Sequence, residues 1–260
     1  MASVINTNQS SLNAQRWLSS TQNLMQTSMA RLSSGLRVNS AKDDAAGLAI
    51  ASKLESASRG MAVGIRNAND AISMAAMAEG ALGNLTSNLQ RMRELAVQRS
   101  SGNISADQDA LDAIDAELGV LVTENNRIVT NTFFNSQDLL GGLNVTIELG
   151  DSQLSSATLA LTQVAVTADG TDIAAIDADL ATVNLARAEA GAAQNQFMAI
   201  ISNLQVNIEN HEASRGRIMD ADYAAETANL SRAQVLQQAG TAMVAQANQV
   251  PQSVLSLLRN

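Results

Sequence analysis

The sequence predicts a mainly α protein: an elongated antiparallel bundle of long helices, its N- and C-terminal helices side by side, with a small β-hairpin region. Three observations carry this. Ala45 to Gln98 contains no proline, and its apolar and small residues fall at Leu54, Ala57, Met61, Ile65, Ala68, Ile72, Ala75, Leu82, Leu85, Leu89, Met92 and Ala96, with Glu79 in the one gap. Steps of three and four mark the seam of one amphipathic helix, roughly 80 Å long at the usual rise per residue. Hydrophobic residues make up 46% of the 260, but aromatics only 2%. Aliphatic and small side chains suit thin helix–helix seams better than a thick globular core. Finally, the two halves mirror each other, so the chain goes out and returns and its termini come together.

Taken in order, the first helical segment runs from about Val4 to Leu36. Ile5, Leu12, Leu18, Met25, Met29, Leu32 and Leu36 mark its seam. Its polar face is Asn, Gln, Ser and Thr, which support a helix weakly, so this segment needs a partner to cover it. Gly35 and the Ser and Asn residues from Ser33 to Ser40 break the pattern. Ser40 to Asp43 reads as a capping box opening the central helix, with Asp43 and Asp44 at the positive end of its dipole. Gly60, Gly64, Gly80 and Gly83 lie inside that helix and read as close-packing points.

The central helix ends near Ser100 to Gly102, and a second capping box, Ser105 to Gln108, opens a shorter helix through Leu111, Ile114, Leu118, Leu121, Val122, Asn125 and Ile128. A short link makes these two helices antiparallel neighbours. From Thr132 to Gly170 the helical period fails. Gly141-Gly142 is a turn, Val145, Ile147 and Leu149 alternate, and Leu159, Leu161, Val164 and Val166 alternate again beyond Gly150-Asp151. That is a hairpin or small sheet. Helix returns at Asp172, with Ile173, Ile176, Leu180, Val183, Ala190, Gln194, Phe197, Ile201, Leu204, Ile208 and His211 in step. This helix can pair with the central one. The rhythm loosens from Glu212 to Asp222. A last helix starts near Tyr223 and carries Leu230, Ala233, Leu236, Gly240, Met243, Ala247, Val250, Val254 and Leu257, with Pro251 a candidate kink.

The net charge is −9 and the pI about 4.6, which argues against nucleic acid as a partner. Met1 to Ser40 carries Arg16, Arg31 and Arg37 and no acid, whereas the middle of the chain is strongly acidic. There is no cysteine, so disulfides and thiolate zinc sites are excluded. No stretch is apolar enough to span a membrane, and the start has neither a basic n-region nor an apolar h-region, so no cleavable signal is expected. Catalytic constellations are poor. The single histidine, His211, precedes Glu212 but lacks the second histidine of a zinc-protease motif. No G-x-S-x-G elbow and no phosphate loop occurs. The acids from Asp107 to Glu117 lack a calcium-loop pattern and spread around a helix. No enzyme, cofactor or metal is expected. Two classes remain: a self-assembling structural protein, or a coiled-coil adaptor presenting a helical rod.

Several long motifs are specific. Ser3 to Asn8, Ser11 to Gln15, Leu32 to Asn39, Ala41 to Ile50 and Leu89 to Gln98 resemble the beginning of bacterial flagellins. Asp220 to Glu226, Leu230 to Gly240, Ala245 to Gln252 and Leu257 to Arg259 resemble their end. The resemblance covers about the first 140 and last 90 residues.

The resemblance implies a short flagellin, a structural subunit of the flagellar filament lacking most of the variable outer domains. It implies that residues 1–44 with 221–260 form an inner coiled-coil tube, and residues 45–220 an outer helical rod with its hairpin region at about 141–168. Ile5, Leu12, Leu18, Met25, Met29, Leu32, Leu230, Leu236, Met243, Val250, Val254 and Leu257 would be the inner-tube seam. The implied partners are further copies of the chain, the cap and hook-junction proteins, and an export chaperone at the C-terminal helix, with no membrane insertion. The family exports its subunits unfolded through the flagellum's own channel. A vertebrate Toll-like receptor reads many flagellins, and the residues that correspond here are Arg91, Leu95 and Glu117. A hook–filament junction protein shares the terminal plan, but both ends resemble flagellin more closely.

Overall fold

The computed structural model describes residues 7–101, 108–150 and 156–258, with side chains as far as residue 249. Five helices follow in order: α1 (Gln9–Ser34), α2 (Ala45–Arg99), α3 (Gln108–Asn131), α4 (Ile173–Met219) and α5 (Tyr223–Leu258). Four short strands lie between α3 and α4: β1 (Phe133–Phe134), β2 (Gln137–Asp138), β3 (Asn144–Glu148) and β4 (Ser156–Ala160). The chain forms two compact units, residues 1–55 with 212–260, and residues 56–211. The first turns of α2 and the last turn or two of α4 thus belong with the terminal helices.

In the first unit α1 and α5 run antiparallel. Ser11 Oγ donates to Asn248 Oδ1 at one end, and Tyr223 OH donates to Leu32 O at the other. Asn8 caps α1 through its side chain, and Gly35 ends it in the left-handed conformation at φ 73°, donating back to Arg31 O. The link beyond Gly35 pairs with the α4–α5 link: Arg37 N donates to Met219 O and Ala221 N to Gly35 O. Both ends of the chain are therefore joined by backbone bonds as well as by helix packing.

The central helix starts four residues later than a capping box at Ser40 implies, at Ala45. Ser40 N and Ser40 Oγ both donate to Asp43 Oδ2, so the box closes on itself as a turn. Those bonds hold the Asp43 carboxyl below its usual range. The helix cap is Asp44, whose Oδ1 accepts from Gly47 N. Two acids in a row let one close the turn and the next cap the helix. The second capping box begins at Ser105, outside the described residues. Asp172 and Asp222 cap α4 and α5 in the same way as Asp44.

In the second unit one core gathers side chains from α2, α3, α4 and the β region, among them Met61, Leu82, Leu85, Leu89, Met92, Leu118, Leu159 and Phe197. The gap at Glu79 has its explanation in α4, where Gln194 Nε2 donates to the Glu79 carboxylate at 2.9 Å. Asn125 on α3 is fully buried, accepts from Asn88 Nδ2 and donates to Met92 S, so its polar groups are satisfied between helices.

The hairpin forms with Val145 opposite Leu159 and Ile147 opposite Ala157. The second alternating run is only half strand, however. Beyond Ala160 the regular register stops, but Leu161 N still donates to Leu143 O and Val164 N to Leu140 O, and α4 carboxylates add further bonds. Glu189 accepts from Thr162 N and Oγ1, and Asp179, itself buried, accepts from Thr167 N and Ala168 N. Val164 is buried and Val166 half-buried on this strap. A tiny second hairpin, β1–β2, turns at Asn135 and Ser136, both at positive φ. Only two of the four helix glycines are packing points. A Cβ on Gly60 would lie 2.5 Å from Gly150 O, and one on Gly64 would overlap Leu149 O. Gly80 and Gly83 face nothing. The rhythm that loosens after Glu212 does not end α4, which runs on to Met219, and α5 continues through Pro251.

Candidate assembly surfaces

The face of α1 turned toward α5 follows a regular row: Ser11, Ala14, Leu18, Thr21, Met25, Ser28 and Leu32. The facing row of α5 is Glu226, Leu230, Ala233, Gln237, Gly240, Val244 and Ala247. Small residues on both rows bring the backbones close. A Cβ on Gly240 would sit 3.2 Å from Leu18 Cδ1. Glu226 is nearly buried and lies 3.8 Å from the Arg31 guanidinium.

This row is not the whole of the seam that periodicity suggests. Leu18, Met25, Leu32 and Leu230 lie on it, half-buried. Leu12, Met29, Leu236 and Met243 are exposed, joined by Trp17, Leu24 and Val235. Ile5 lies outside the described residues, as do the side chains of Val250, Val254 and Leu257. The physical reason is that each terminal helix carries apolar residues around much of its girth. A single partner helix covers one stripe, and close approach selects the stripe richest in Ser, Ala and Gly. The remaining apolar residues are left facing outward.

On α2, Arg91 and Leu95 do not share an exposed face. Leu95 is 2% exposed and belongs to the core, because the seam row passes through Met92, Leu95 and Ala96. Arg91 is exposed and reaches Glu117 on α3 at 2.8 Å and Glu94 at 3.2 Å. The Glu117 and Glu94 hydrogen bonds raise the Arg91 guanidinium further above its ordinary value. The apolar residue exposed beside this cluster is Val97. Nearby, Arg93 ties α2 to Asp177 of α4 at 2.6 Å.

His211 is half-buried on α4, with Nδ1 enclosed and unbonded among the described residues. No cluster of three metal-ligating side chains exists among the described residues, and no described helix is long and apolar enough to cross a membrane. The surface features that remain are rows of exposed apolar residues on paired terminal helices. With no catalytic or metal-binding constellation beside them among the described residues, they point to the class of helical structural proteins.

Comparison with known proteins gives the family. The bacterial flagellin N-terminal helical region matches residues 5–145, and the bacterial flagellin C-terminal helical region matches residues 173–258. A flagellin of Xenorhabdus nematophila is 41% identical over 315 aligned residues, covering all of both chains. A flagellin of Halalkalibacterium halodurans is 43% identical over 274, covering 98% of this chain and 100% of the relative. The crystal structure of Bacillus cereus flagellin aligns with a TM-score of 0.41 at 25% identity, over 56% of this chain and 88% of that one. The chain belongs to the bacterial flagellin family. It is a structural subunit that polymerises into the extracellular flagellar filament, in a short form lacking outer domains. The two matched regions leave only residues 146–172 between them.

Proposed function

We propose that the paired terminal helices α1 and α5 form the inner tube of the filament, and that residues 56–211 form the outer tube. The observation that supports this is the outward row of Leu12, Trp17, Leu24, Met29, Leu236 and Met243, left bare when α1 and α5 pair. An exposed apolar row of that extent marks a contact surface, and a homopolymer supplies its partner. The motile filament would then be completed at its ends by cap and hook-junction proteins. Before assembly the bare row on α5, with Val235, Leu236 and Met243, is the natural place for an export chaperone. Export proceeds through the flagellar channel, and a chain with no cysteine suits passage between redox compartments. Electron microscopy and circular dichroism after seeding with filament fragments test this reading. Filaments should appear and helix content should rise as the Gln-, Asn- and Ser-rich terminal helices gain partners. A seeded chain that stays monomeric overturns it.

The receptor reading concerns the other unit. Arg91 and Glu117, exposed and paired across α2 and α3, support a host Toll-like receptor contact; Leu95 would act from the core by holding that surface in place. An Arg91→Ala monomer that signals as strongly as the parent in receptor-reporter cells would remove it.

A further inference from the structure

Residues 161–170 cover part of the core of residues 56–211 without forming a strand of a sheet. We propose that this strap is a lid, latched by Asp179 and Glu189 of α4, that opens as one piece while α2, α3 and α4 stay folded.

The latch is made of side-chain carboxylates. Asp179 Oδ2 accepts from Thr167 N at 2.8 Å and Ala168 N at 2.9 Å, and Asp179 Oδ1 accepts from Thr167 Oγ1 at 3.2 Å. Glu189 accepts from Thr162 N at 2.7 Å and Thr162 Oγ1 at 2.8 Å. The spacings agree. Thr162 to Thr167 spans about 16 Å as extended chain, and Asp179 to Glu189 spans about 15 Å as helix. The strap therefore runs antiparallel along α4 in one register, with a carboxylate near each end. Hydrogen bonds to carboxylates are the stronger kind, so these two acids supply much of the hold.

The latch has two states. Asp179 is only 5% exposed when the strap is down. A buried carboxylate is tolerable with all its bonds made, and costly with some of them missing. Full lifting returns it to water, whereas partial lifting leaves it enclosed and underbonded. Opening also demands less than unfolding. Leu161, Val164 and Ala168 are buried on the strap, while Thr162, Gln163, Ala165, Thr167 and Asp169 are exposed. Lifting uncovers those three side chains and their seats and releases the backbone entropy of the segment. Unfolding would uncover the whole core, with Phe197 and the row from Met61 to Met92. Segments with few buried apolar groups open ahead of the rest. Gly170, at φ 87°, is the joint to α4, and the end of β4 at Ala160 is the other joint.

Native-state hydrogen exchange of the full-chain monomer tests the lid. The amides of Thr162, Val164, Thr167 and Ala168 should exchange as one group. They should exchange faster than those of α2 between Met61 and Met92, with a weaker denaturant dependence, as a small opening requires. Asp179→Asn keeps the shape of the side chain and removes its charge. It should speed exchange of the strap group by about tenfold or more and leave the α2 amides at the parent rate. Thr167→Val removes one of three bonds and leaves the carboxylate, so its effect should be smaller. Asp177→Asn is the control, because Asp177 is an α4 carboxylate bound to Arg93 of α2, and its loss should leave strap exchange unchanged. If Asp179→Asn does not fold, Glu189→Gln, at a half-buried position, should still speed exchange at Thr162. Strap amides that exchange in step with those of α2 overturn the proposal, since the segment then unfolds only with the core. So does an Asp179→Asn or Glu189→Gln chain whose strap exchanges at the parent rate, or whose strap and α2 accelerate alike. Equal acceleration by Asp177→Asn would be a general charge effect on α4, which also overturns the latch. None of these outcomes touches the inner-tube reading, which concerns other residues.

Discussion

Residues 56–211 and the terminal unit are both built from long helices, yet they bury different things. The first buries Phe197, Met61, Leu82, Leu85, Leu89 and Met92 almost completely, and closes its core with a hairpin and a strap. The second buries Ser11, Ser28, Val38, Ala51, Ala233 and Glu226, while Trp17, Leu12, Met29, Leu236 and Met243 face outward. Burying large aliphatic and aromatic groups contributes about 1.5–3 kcal/mol each, whereas small and polar groups contribute far less. One unit is thus complete within a single chain. The other leaves its large apolar side chains exposed within a single chain, and on the proposed assembly it becomes complete when copies meet. A subunit that must remain separate until it reaches a growing end needs both properties, and the chain assigns them to different regions.

The largest expected effect comes from removing residues after Gln246. That cut takes Asn248, which accepts from Ser11 Oγ, and Ala247, whose carbonyl accepts from Asn8 Nδ2. Filament formation should be abolished, while the denaturant unfolding transition of residues 56–211 survives. Normal polymerisation of the shortened chain would break the division of labour described above. Next comes a matched pair of core and surface changes. Phe197→Ala should cost about 3–5 kcal/mol in unfolding free energy, and Met29→Ala should change monomer stability by no more than about 0.5 kcal/mol. If chemical denaturation shows equal losses, the contrast in burial has no energetic content. The smallest effects separate two glycines of the same helix. Gly64→Ala forces a methyl group against Leu149 O and should destabilise by about 1–3 kcal/mol, whereas Gly80→Ala meets nothing and should stabilise by up to about 1 kcal/mol. Thermal melts moving in the same direction would show that α2 does not press against the hairpin end as described.

Most of the helices were legible from spacing alone. The central helix begins at Ala45 as expected and ends at Arg99, one residue past Gln98, and α5 begins at Tyr223 as expected. The hairpin register follows from alternation at Val145, Ile147 and Leu159. The strap was not legible, because Asp179 and Glu189 hold it from a helix that comes later in the chain, and no local pattern records such a bond. The β1–β2 turn at Asn135-Ser136 left a faint signal, two small polar residues between apolar and polar pairs, that the two-residue length of each strand made too short to read. The burial of Leu95 was readable in principle: it follows Met92 by three residues on the core seam, while Arg91 sits one residue before Met92.

What the sequence by itself determined is periodicity. Apolar steps of three and four specify helices, their lengths and the existence of a sticky face, since these depend only on residues near one another in the chain. Which face of a terminal helix meets its partner was decided by tertiary structure. α1 offers Leu12, Trp17, Leu24 and Met29 as well as Leu18, Met25 and Leu32, and hydrophobicity ranks them alike. The choice falls to the row of Ser11, Ala14, Ser28 and the facing Ala233 and Gly240, because only small side chains let two backbones approach closely along their length. That is a property of two surfaces together, and neither helix carries it alone.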